Sequence, residues 1–258
     1  MTPVDNAFGQ PQTVVVLGGT SDIARALTRK LCAARAHTVV LCARSAALVE
    51  SAAAEALEYG ATRVETVLFD AEDPADAARC VREAFELAAG PVDLVVMAVG
   101  LLGDQDTFVN DPVMAARMAT VNFTWPVTAL TDVRQRLITQ GSGRMLVMSS
   151  VAAVRVRSSM YLYAGAKAGL DRLCVAMADS LEGTGVTLQI LRPGQVRTKM
   201  TAGIEEPPFT TGPNEVATNI MAGLASGARV IWSPPVLRYV FFVLRHLPAT
   251  LWRKFIDR

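Results

Sequence analysis

Short runs of consecutive apolar residues alternate along the chain with longer segments whose apolar positions recur at helical spacing. Runs of the first kind are typical of strands that are buried on both faces of a parallel sheet. We predict strands within 13–17, 38–42, 64–68, 93–99, 144–149 and 186–191, and helices within 22–34, 46–59, 74–88, 112–139 and 161–182. The alternation indicates an α/β fold, a doubly wound parallel sheet of about seven strands with helices on both faces.

Length and composition agree with one domain. The chain has 258 residues, of which 51% are hydrophobic, and this suffices for one sizeable core. We predict a single domain over 1–235, which includes a Pro/Gly-rich substrate lid or variable surface connection at about 200–213, and a C-terminal segment over 236–258. A formal net charge of +1 does not favour a surface for nucleic acid. The four cysteines and two histidines are scattered, so we expect reduced thiols and no metal site.

The chain shows no pattern of a membrane-spanning segment. The first twelve residues are polar and lack the apolar core of a signal peptide, and no apolar run reaches the roughly 18 residues that a spanning helix needs. The C-terminal segment 236–258 nevertheless combines aromatic residues with five Lys/Arg and one acidic residue. That mixture suits a segment lying at the surface of an anionic membrane. The alternative is a subunit interface, if the chain oligomerises.

A serine, a tyrosine and a lysine are grouped around the start of one predicted helix. Ser150 follows the fifth strand, Tyr163 comes thirteen positions later, and Lys167 four positions after that. Positions four apart lie on one face of a helix, so the phenol and the ammonium project together. An ammonium beside a phenol lowers the tyrosine pKa, and such a phenol can exchange a proton with a substrate oxygen. An ordinary surface pair is the alternative interpretation of Tyr163 and Lys167.

A glycine turn follows the first predicted strand and leads into the first helix. Its sequence is GGTSDIA, beginning at Gly18. Backbone amides at the start of a helix bind pyrophosphate groups, so this turn is a candidate phosphate site. A plain connection between strand and helix is the alternative.

Together these features resemble the short-chain dehydrogenase/reductase family, whose members are single-domain Rossmann-fold oxidoreductases that use a nicotinamide dinucleotide. The resemblance covers nearly the whole chain and implies a catalytic tetrad of Asn122, Ser150, Tyr163 and Lys167. Tyr163 would give a proton to the developing alkoxide, and Ser150 would bond the same oxygen. Lys167 would bond the nicotinamide ribose and lower the tyrosine pKa. Asn122 would hold a water in the proton relay.

The resemblance also implies the cofactor contacts. The glycine motif of the family begins at Gly18, but Asp22 and Ala24 stand where the family has its second and third glycines. We expect the Asp22 carboxylate to face the dipole of the following helix rather than the ligand. The contacts are assigned to Gly18, Thr20, Ser21, Asp22, Ile23, Arg44, Asp70, Ala71, Gly100, Tyr163, Lys167, Pro193, Gly194, Val196 and Thr198.

Several less common strings, among them 98–104 and 237–248, resemble a subgroup of these reductases that acts on a lipid-linked sugar phosphate. The subgroup reduces a polyprenyl-phosphate-linked keto-pentose for cell-wall arabinan synthesis, together with a flavin-dependent oxidase partner. This resemblance implies a peripheral position at the cytoplasmic or periplasmic face of the inner membrane. Arg155 and Arg157 would then receive a substrate phosphate, or else be solvated loop charges. A reductase of another hydrophobic ketone and a non-catalytic cofactor-binding scaffold remain as alternatives.

The choice between NADH and NADPH is left open by the sequence. The subgroup is NADH-linked, which favours NADH/NAD. In NAD-type Rossmann folds, however, an acidic residue after the second strand binds the ribose hydroxyls, and this chain has Ala43 and Arg44 there. Arg44 can pair with a 2′-phosphate, so NADPH/NADP is the second candidate.

Overall fold

The computed structural model describes residues 10–103 and 105–255 of the chain. Residues 1–9, which bear on the expected absence of a signal peptide, and the last three residues of the C-terminal segment lie outside the described residues. The strands are β1 (Thr13–Leu17), β2 (Thr38–Ala43), β3 (Arg63–Leu68), β4 (Leu94–Met97), β5 (Gly143–Met148), β6 (Val186–Pro193) and β7 (Val230–Ser233).

The helices are α1 (Asp22–Ala33), α2 (Ala46–Glu58), α3 (Asp76–Ala88), α4 (Gln105–Asn110), α5 (Pro112–Ala119), α6 (Trp125–Gln140), α7 (Tyr161–Ser180), α8 (Pro213–Ser226), α9 (Leu237–His246) and α10 (Ala249–Phe255). The long helix predicted over 112–139 is therefore not one regular α-helix. A π-helical turn, Thr120–Thr124, separates α5 from α6.

All seven strands form one parallel sheet in the order β3-β2-β1-β4-β5-β6-β7. The strand order reverses between β1 and β4, and in open α/β sheets ligands bind outside the carboxyl ends of the strands at such a reversal. The glycine turn after β1 lies at this reversal. Of the candidate catalytic residues, Ser150 follows β5, whereas Tyr163 and Lys167 lie in the first two turns of α7. The predicted doubly wound sheet of about seven strands is confirmed.

Two apolar layers cover the sheet. Helices α3, α6 and α7 pack on one face, where Trp125 and Leu130 are fully buried. Helices α1, α2 and α8 pack on the other face, where Leu27 and Leu31 are fully buried. Strands β1, β4 and β5 lie between these layers, which explains why their sequences are apolar without alternation.

The C-terminal helices return to the domain. Helix α9 buries Leu237 and Phe241, and α10 buries Trp252. The Phe241 ring stacks on that of Trp232 in β7, with 6.3 Å between centroids. Within the described residues, no helix has both the length and the apolar character needed to cross a bilayer.

Candidate active site

Ser150 and Tyr163 are joined by a hydrogen bond between their side chains. Ser150 lies just beyond the end of β5, where its hydroxyl oxygen also accepts a hydrogen bond from the amide of Ala152 at 3.1 Å. Tyr163 is in the first turn of α7 and is half-buried. The structure thus brings the candidate proton donor and the candidate carbonyl ligand to the same point above the sheet.

The pKa of Tyr163 does not shift in the direction expected from the sequence. Burial raises it above its ordinary value, and the hydrogen bond from Ser150 acts in the opposite direction. The phenolate loses hydration in this position, so the neutral phenol is favoured. The expectation that the neighbouring ammonium lowers the tyrosine pKa is therefore wrong for this structure, because loss of hydration has the largest effect on the phenol and Lys167 is not among the groups that shift its pKa.

Lys167 is almost fully buried on the same face of α7. Its Nζ donates a hydrogen bond to the carbonyl oxygen of Met148 at 3.1 Å, and burial lowers the pKa of the amine from 10.5 to about 8. An ammonium carries three donors, so this one bond leaves donors for a further acceptor. Gly100 keeps that approach open, since a Cβ at Gly100 would lie 3.3 Å from Lys167 Nζ.

Asn122 lies at the centre of the π-helical turn and is fully buried. Its side-chain amide forms a reciprocal pair with the backbone of Leu101, accepting from Leu101 N at 3.1 Å and donating to Leu101 O at 2.7 Å. A Cβ at Gly100 would lie 3.2 Å from Asn122 Oδ1, so this amide is close to Lys167 as well. Single π-helical turns occur frequently at functional sites, and this one directs Asn122 at the loop after β4.

The glycine turn is held between β2 and β4. The amides of Gly18 and Gly19 both donate to Cys42 O at 2.9 Å. Gly18 has a positive φ of 91°, and a Cβ there would lie 2.8 Å from the carbonyl of Ala98, so a side chain is excluded. Ser21 precedes α1 without forming a side-chain cap, and this leaves the first amides of the helix directed at the carboxyl edge of the sheet.

Asp22 is the first residue of α1. Its carboxylate accepts a hydrogen bond from the backbone amide of Lys199 at 2.7 Å. Asp22 thus lies in the first turn of the helix, at the positive end of its dipole, and its carboxylate is bonded to a distant part of the chain.

The adenine end of the expected cofactor site lies at the ends of β2 and β3. The Arg44 side chain is 72% exposed, with its guanidinium 3.5 Å from the Glu72 carboxylate. Arg117 binds the same carboxylate at 2.5 Å. The exposed Asp70 carboxylate accepts from the amide of Glu72 at 2.9 Å, and Ala71 lies between them in this turn.

The loop after β6 begins with Pro193 and Gly194 and is tied to itself by Thr201. The Thr201 hydroxyl accepts from Thr198 N at 3.1 Å and donates to Val196 O at 2.5 Å. Beyond this loop, an open cleft of about 470 Å³ is lined by Asp22, Gln195, Arg197, Thr198, Lys199, Thr201, Ala202, Gly203, Ile204 and Glu206.

A buried ion pair next to the site was not expected from the sequence. Asp171 is 2% exposed and accepts from Ser149 Oγ at 2.7 Å and from Arg192 at 2.9 and 2.7 Å. Arg192 also lies over the Trp232 ring, 5.2 Å from its centroid. The signal was present in the spacing, because Asp171 follows Lys167 by four positions on the same helix and so continues its buried face.

Arg155 is not free to receive a phosphate. Its Nη1 donates to the carbonyl oxygens of Leu244 and Leu247, both at 2.7 Å, at the end of α9. Its guanidinium also lies over the Trp252 ring at 4.3 Å. The C-terminal carbonyls of a helix attract a cation, which explains this placement. Arg157 is exposed, so both of its predicted roles, phosphate ligand and solvated loop charge, stay predictions.

Comparison with known proteins identifies relatives over the whole chain. Residues 12–208 match the sequence family described as short chain dehydrogenase. An uncharacterised oxidoreductase of Mycobacterium tuberculosis is 40% identical over 241 residues, which cover 93% of this chain and 96% of the relative. One of Streptomyces coelicolor is 40% identical over 251 residues, which cover 97% of this chain and 98% of the relative.

Solved structures share the fold. A short chain dehydrogenase from Burkholderia cenocepacia, solved in complex with NADP, superposes with a TM-score of 0.79 at 18% identity and covers 97% of this chain and 99% of its own. A short-chain dehydrogenase from Sphingobium yanoikuyae, solved with NADPH, gives a TM-score of 0.78 at 21% identity and covers 92% and 96%. The predicted single-domain Rossmann fold is thus confirmed. On the match over residues 12–208 and the two full-length relatives, this chain belongs to the short-chain dehydrogenase family and is an oxidoreductase.

Proposed function

We propose that this oxidoreductase reduces a ketone to an alcohol with a nicotinamide dinucleotide, and that Asn122, Ser150, Tyr163 and Lys167 carry out the reaction. The observation that carries the proposal is the hydrogen bond between Ser150 and Tyr163 beside the buried amine of Lys167. A phenol kept protonated by its surroundings is in the correct state to donate a proton.

The residues present fit such a cofactor. The uncapped start of α1 suits a pyrophosphate, and the remaining donors of Lys167 suit a ribose hydroxyl. Gly100 leaves space between Asn122 and Lys167 that a Cβ would occupy. When bound, the reduced nicotinamide supplies the hydride that adds to the carbonyl carbon. We assign the remaining contacts to the residues predicted from the sequence, with Val196 and Thr198 at the nicotinamide and Asp70 at the adenine.

The protein residues act on the carbonyl oxygen. Ser150 and the Tyr163 hydroxyl both hydrogen-bond this oxygen and orient it. As the carbon gains the hydride, the oxygen takes the proton of Tyr163, so that the alkoxide leaves as an alcohol and the tyrosinate remains. The amine of Lys167 stabilises that tyrosinate, since an ammonium within a helical turn favours the anionic phenol once it forms. Asn122 holds the loop after β4 in place through its hydrogen bonds to Leu101. It would also bind a water of the proton relay.

For the cofactor, we favour NADPH over the NADH expected from the subgroup. Arg44 occupies the position after β2, where NAD-type folds carry an acidic residue, and its side chain is largely exposed. Two structures of the same fold were solved with NADP and NADPH, which agrees with this choice.

For the substrate, we propose the 2′-keto group of decaprenylphosphoryl-2-keto-erythro-pentofuranose, giving decaprenylphosphoryl-arabinofuranose for cell-wall arabinan synthesis. A flavin-dependent oxidase would supply the ketone. The support is the resemblance in the strings around 98–104 and 237–248, together with the exposed apolar face of α9. Tyr239, Phe242 and Val243 on that face are 70%, 62% and 60% exposed.

We further propose that this face lies on an anionic membrane surface. Arg238, Arg245 and Arg253 are exposed around it, and basic residues next to exposed aromatic residues favour interfacial binding. Co-sedimentation with vesicles of phosphatidylglycerol and with vesicles of phosphatidylcholine tests this, using the intact chain and the variant Tyr239→Ser/Phe242→Ser. Equal pelleting of both proteins with the anionic vesicles would contradict the proposal.

The substrate proposal is tested by adding the decaprenylphosphoryl ketone to the full-length enzyme with NADPH or NADH and following the absorbance of the reduced cofactor, with arabinose product scored. A flavin oxidase acting on decaprenylphosphoryl-ribose supplies the ketone. Reduction of other hydrophobic ketones, sterol-like or acyl, at a higher kcat/KM would favour the broader reductase. Cofactor binding without turnover of any ketone would favour the non-catalytic scaffold.

A further inference from the structure

Asp22 occupies a position where the glycine motif of the family has no side chain. A carboxylate at this place is adjacent to the turn that we assign to the pyrophosphate, and two negative groups in proximity repel each other. The structure shows which group the Asp22 carboxylate contacts. Asp22 Oδ2 accepts a hydrogen bond from the backbone amide of Lys199 at 2.7 Å, across 177 positions of sequence.

The segment that donates this bond is held together by hydrogen bonds of its own. Gln195 donates its side-chain amide to Glu205 O at 3.0 Å, and Arg197 binds both carboxylate oxygens of Glu206 at 2.8 and 3.0 Å. We call residues 195–206 the cover segment. Because these bonds hold the cover segment together, a single bond to Lys199 can fix its position relative to α1.

The bond lies at the cleft of about 470 Å³, because both of its partners line that cleft. Asp22 lines this cleft together with residues of the cover segment, among them Arg197, Lys199 and Ile204. The Asp22–Lys199 bond therefore joins the start of α1, next to the proposed phosphate turn, to the segment that contains the proposed nicotinamide contacts Val196 and Thr198.

We propose that Asp22 is a clasp, a positioning residue that holds the cover segment against the start of α1 and slows release of the dinucleotide. The inference rests on the proposed function, since the start of α1 and the contacts Val196 and Thr198 are assigned there to the cofactor. The replacement of glycine by Asp22 then has a physical purpose, because the carboxylate is used as an acceptor for Lys199.

Two substitutions separate the clasp from plain charge repulsion. Asp22→Ala removes both the acceptor and the charge, whereas Asp22→Asn removes the charge and retains an amide oxygen that can accept from Lys199 N. Glu50→Gln, on the exposed face of α2, removes one negative charge that is outside both α1 and the cover segment, and serves as the control.

The dissociation rate of NADPH from the full-length enzyme is measured by stopped flow, following cofactor fluorescence after excess NADP is added. We expect Asp22→Ala to release NADPH roughly tenfold faster, as a hydrogen bond to a charged group implies. Asp22→Asn and Glu50→Gln should stay within about threefold of wild type. Unchanged release from Asp22→Ala would overturn the clasp, and so would slower release from both Asp22 variants, which would indicate repulsion.

Limited digestion with trypsin tests the clasp without any bound cofactor. Arg197 and Lys199 are exposed cleavage sites in the cover segment, and loss of the clasp should accelerate cleavage there in Asp22→Ala but not in Asp22→Asn. If the wild type binds neither NADPH nor NADH, the proposed function fails, and the digestion still decides the clasp. Equal cleavage of wild type and Asp22→Ala would then overturn it.

Discussion

Lys167 Nζ donates its hydrogen bond to the carbonyl oxygen of Met148 at 3.1 Å, two residues before Ser150. This bond ties α7 to the end of β5, so the two elements that carry the proposed proton donor and the proposed carbonyl ligand are fixed to each other. Burial keeps water away from this hydrogen bond, and it also lowers the pKa of the amine to about 8. The amine is therefore a stabilising contact and a titrating group near physiological pH.

Lys167→Met should change the pH dependence of stability in a defined direction. The folded pKa of about 8 lies below the unfolded value of 10.5, so the unfolded chain binds more protons between these values and stability rises with pH there. Below pH 8 both states carry the charge, and the buried ammonium costs its full desolvation free energy.

Relative to Lys167→Met, the free energy of unfolding of the wild type should rise by about 3 kcal/mol between pH 8 and pH 10.5. Urea denaturation of both proteins across this range measures the difference. A difference that stays flat would show that Lys167 is hydrated in solution and not buried as here.

Tyr163→Phe should reduce turnover by about a thousandfold, in line with the loss of a general acid, while the dissociation constant of the cofactor stays nearly unchanged. The phenyl ring still fills its place in the first turn of α7. Tyr161→Phe is the matched control, because Tyr161 lies two positions earlier in the same turn and is 47% exposed. Substantial turnover by Tyr163→Phe would remove this tyrosine from the mechanism.

Arg44→Gln should shift the cofactor preference. If Arg44 binds a 2′-phosphate, its loss weakens NADPH binding by roughly tenfold and leaves NADH binding almost unchanged. Glu72→Gln should act oppositely, since the Glu72 carboxylate lies 3.5 Å from Arg44 and competes for its guanidinium. The ratio of kcat/KM for NADPH and NADH measures both effects. An unchanged ratio in Arg44→Gln would leave the residue as a solvated charge.

The sequence predicted the sheet and the positions of its strands because apolar runs and helical periodicity are local properties. It also placed Ser150, Tyr163 and Lys167 at one edge of the sheet, since the carboxyl ends of parallel strands meet there. It did not predict the direction of the Tyr163 pKa shift, because burial depends on how β5 and α7 pack, and no spacing records this.

Hydrogen-bond partners that are distant in the sequence could not be predicted either. Arg155 was a candidate phosphate ligand because it follows Ser150, but its bonds to Leu244 and Leu247 depend on where α9 ends. The contact of Asp22 with Lys199 depends on the path of the cover segment. Helical periodicity also continued through 112–139 without a sign of the π-helical turn at Asn122, since one additional residue per turn alters the pattern little.

The Asp171–Arg192 pair gives the last prediction. Asp171→Asn should destabilise the protein by about 3–5 kcal/mol, because it leaves the largely buried Arg192 guanidinium without its counter-charge. Ser149→Ala, which removes one neutral donor to the same carboxylate, should cost about 1–2 kcal/mol. Both values are measured by urea denaturation at pH 7.

The double variant Asp171→Leu/Arg192→Met distinguishes stability from positioning. Replacing a buried ion pair by apolar residues of similar volume is often neutral for stability, so the double variant should regain most of the loss. Its turnover should remain reduced, since the pair connects the end of β5, helix α7 and the start of the nicotinamide loop at Pro193. Full recovery of both stability and kcat would show that the pair only fills the core, whereas recovery of stability alone assigns it to holding Ser150 and Tyr163 in register.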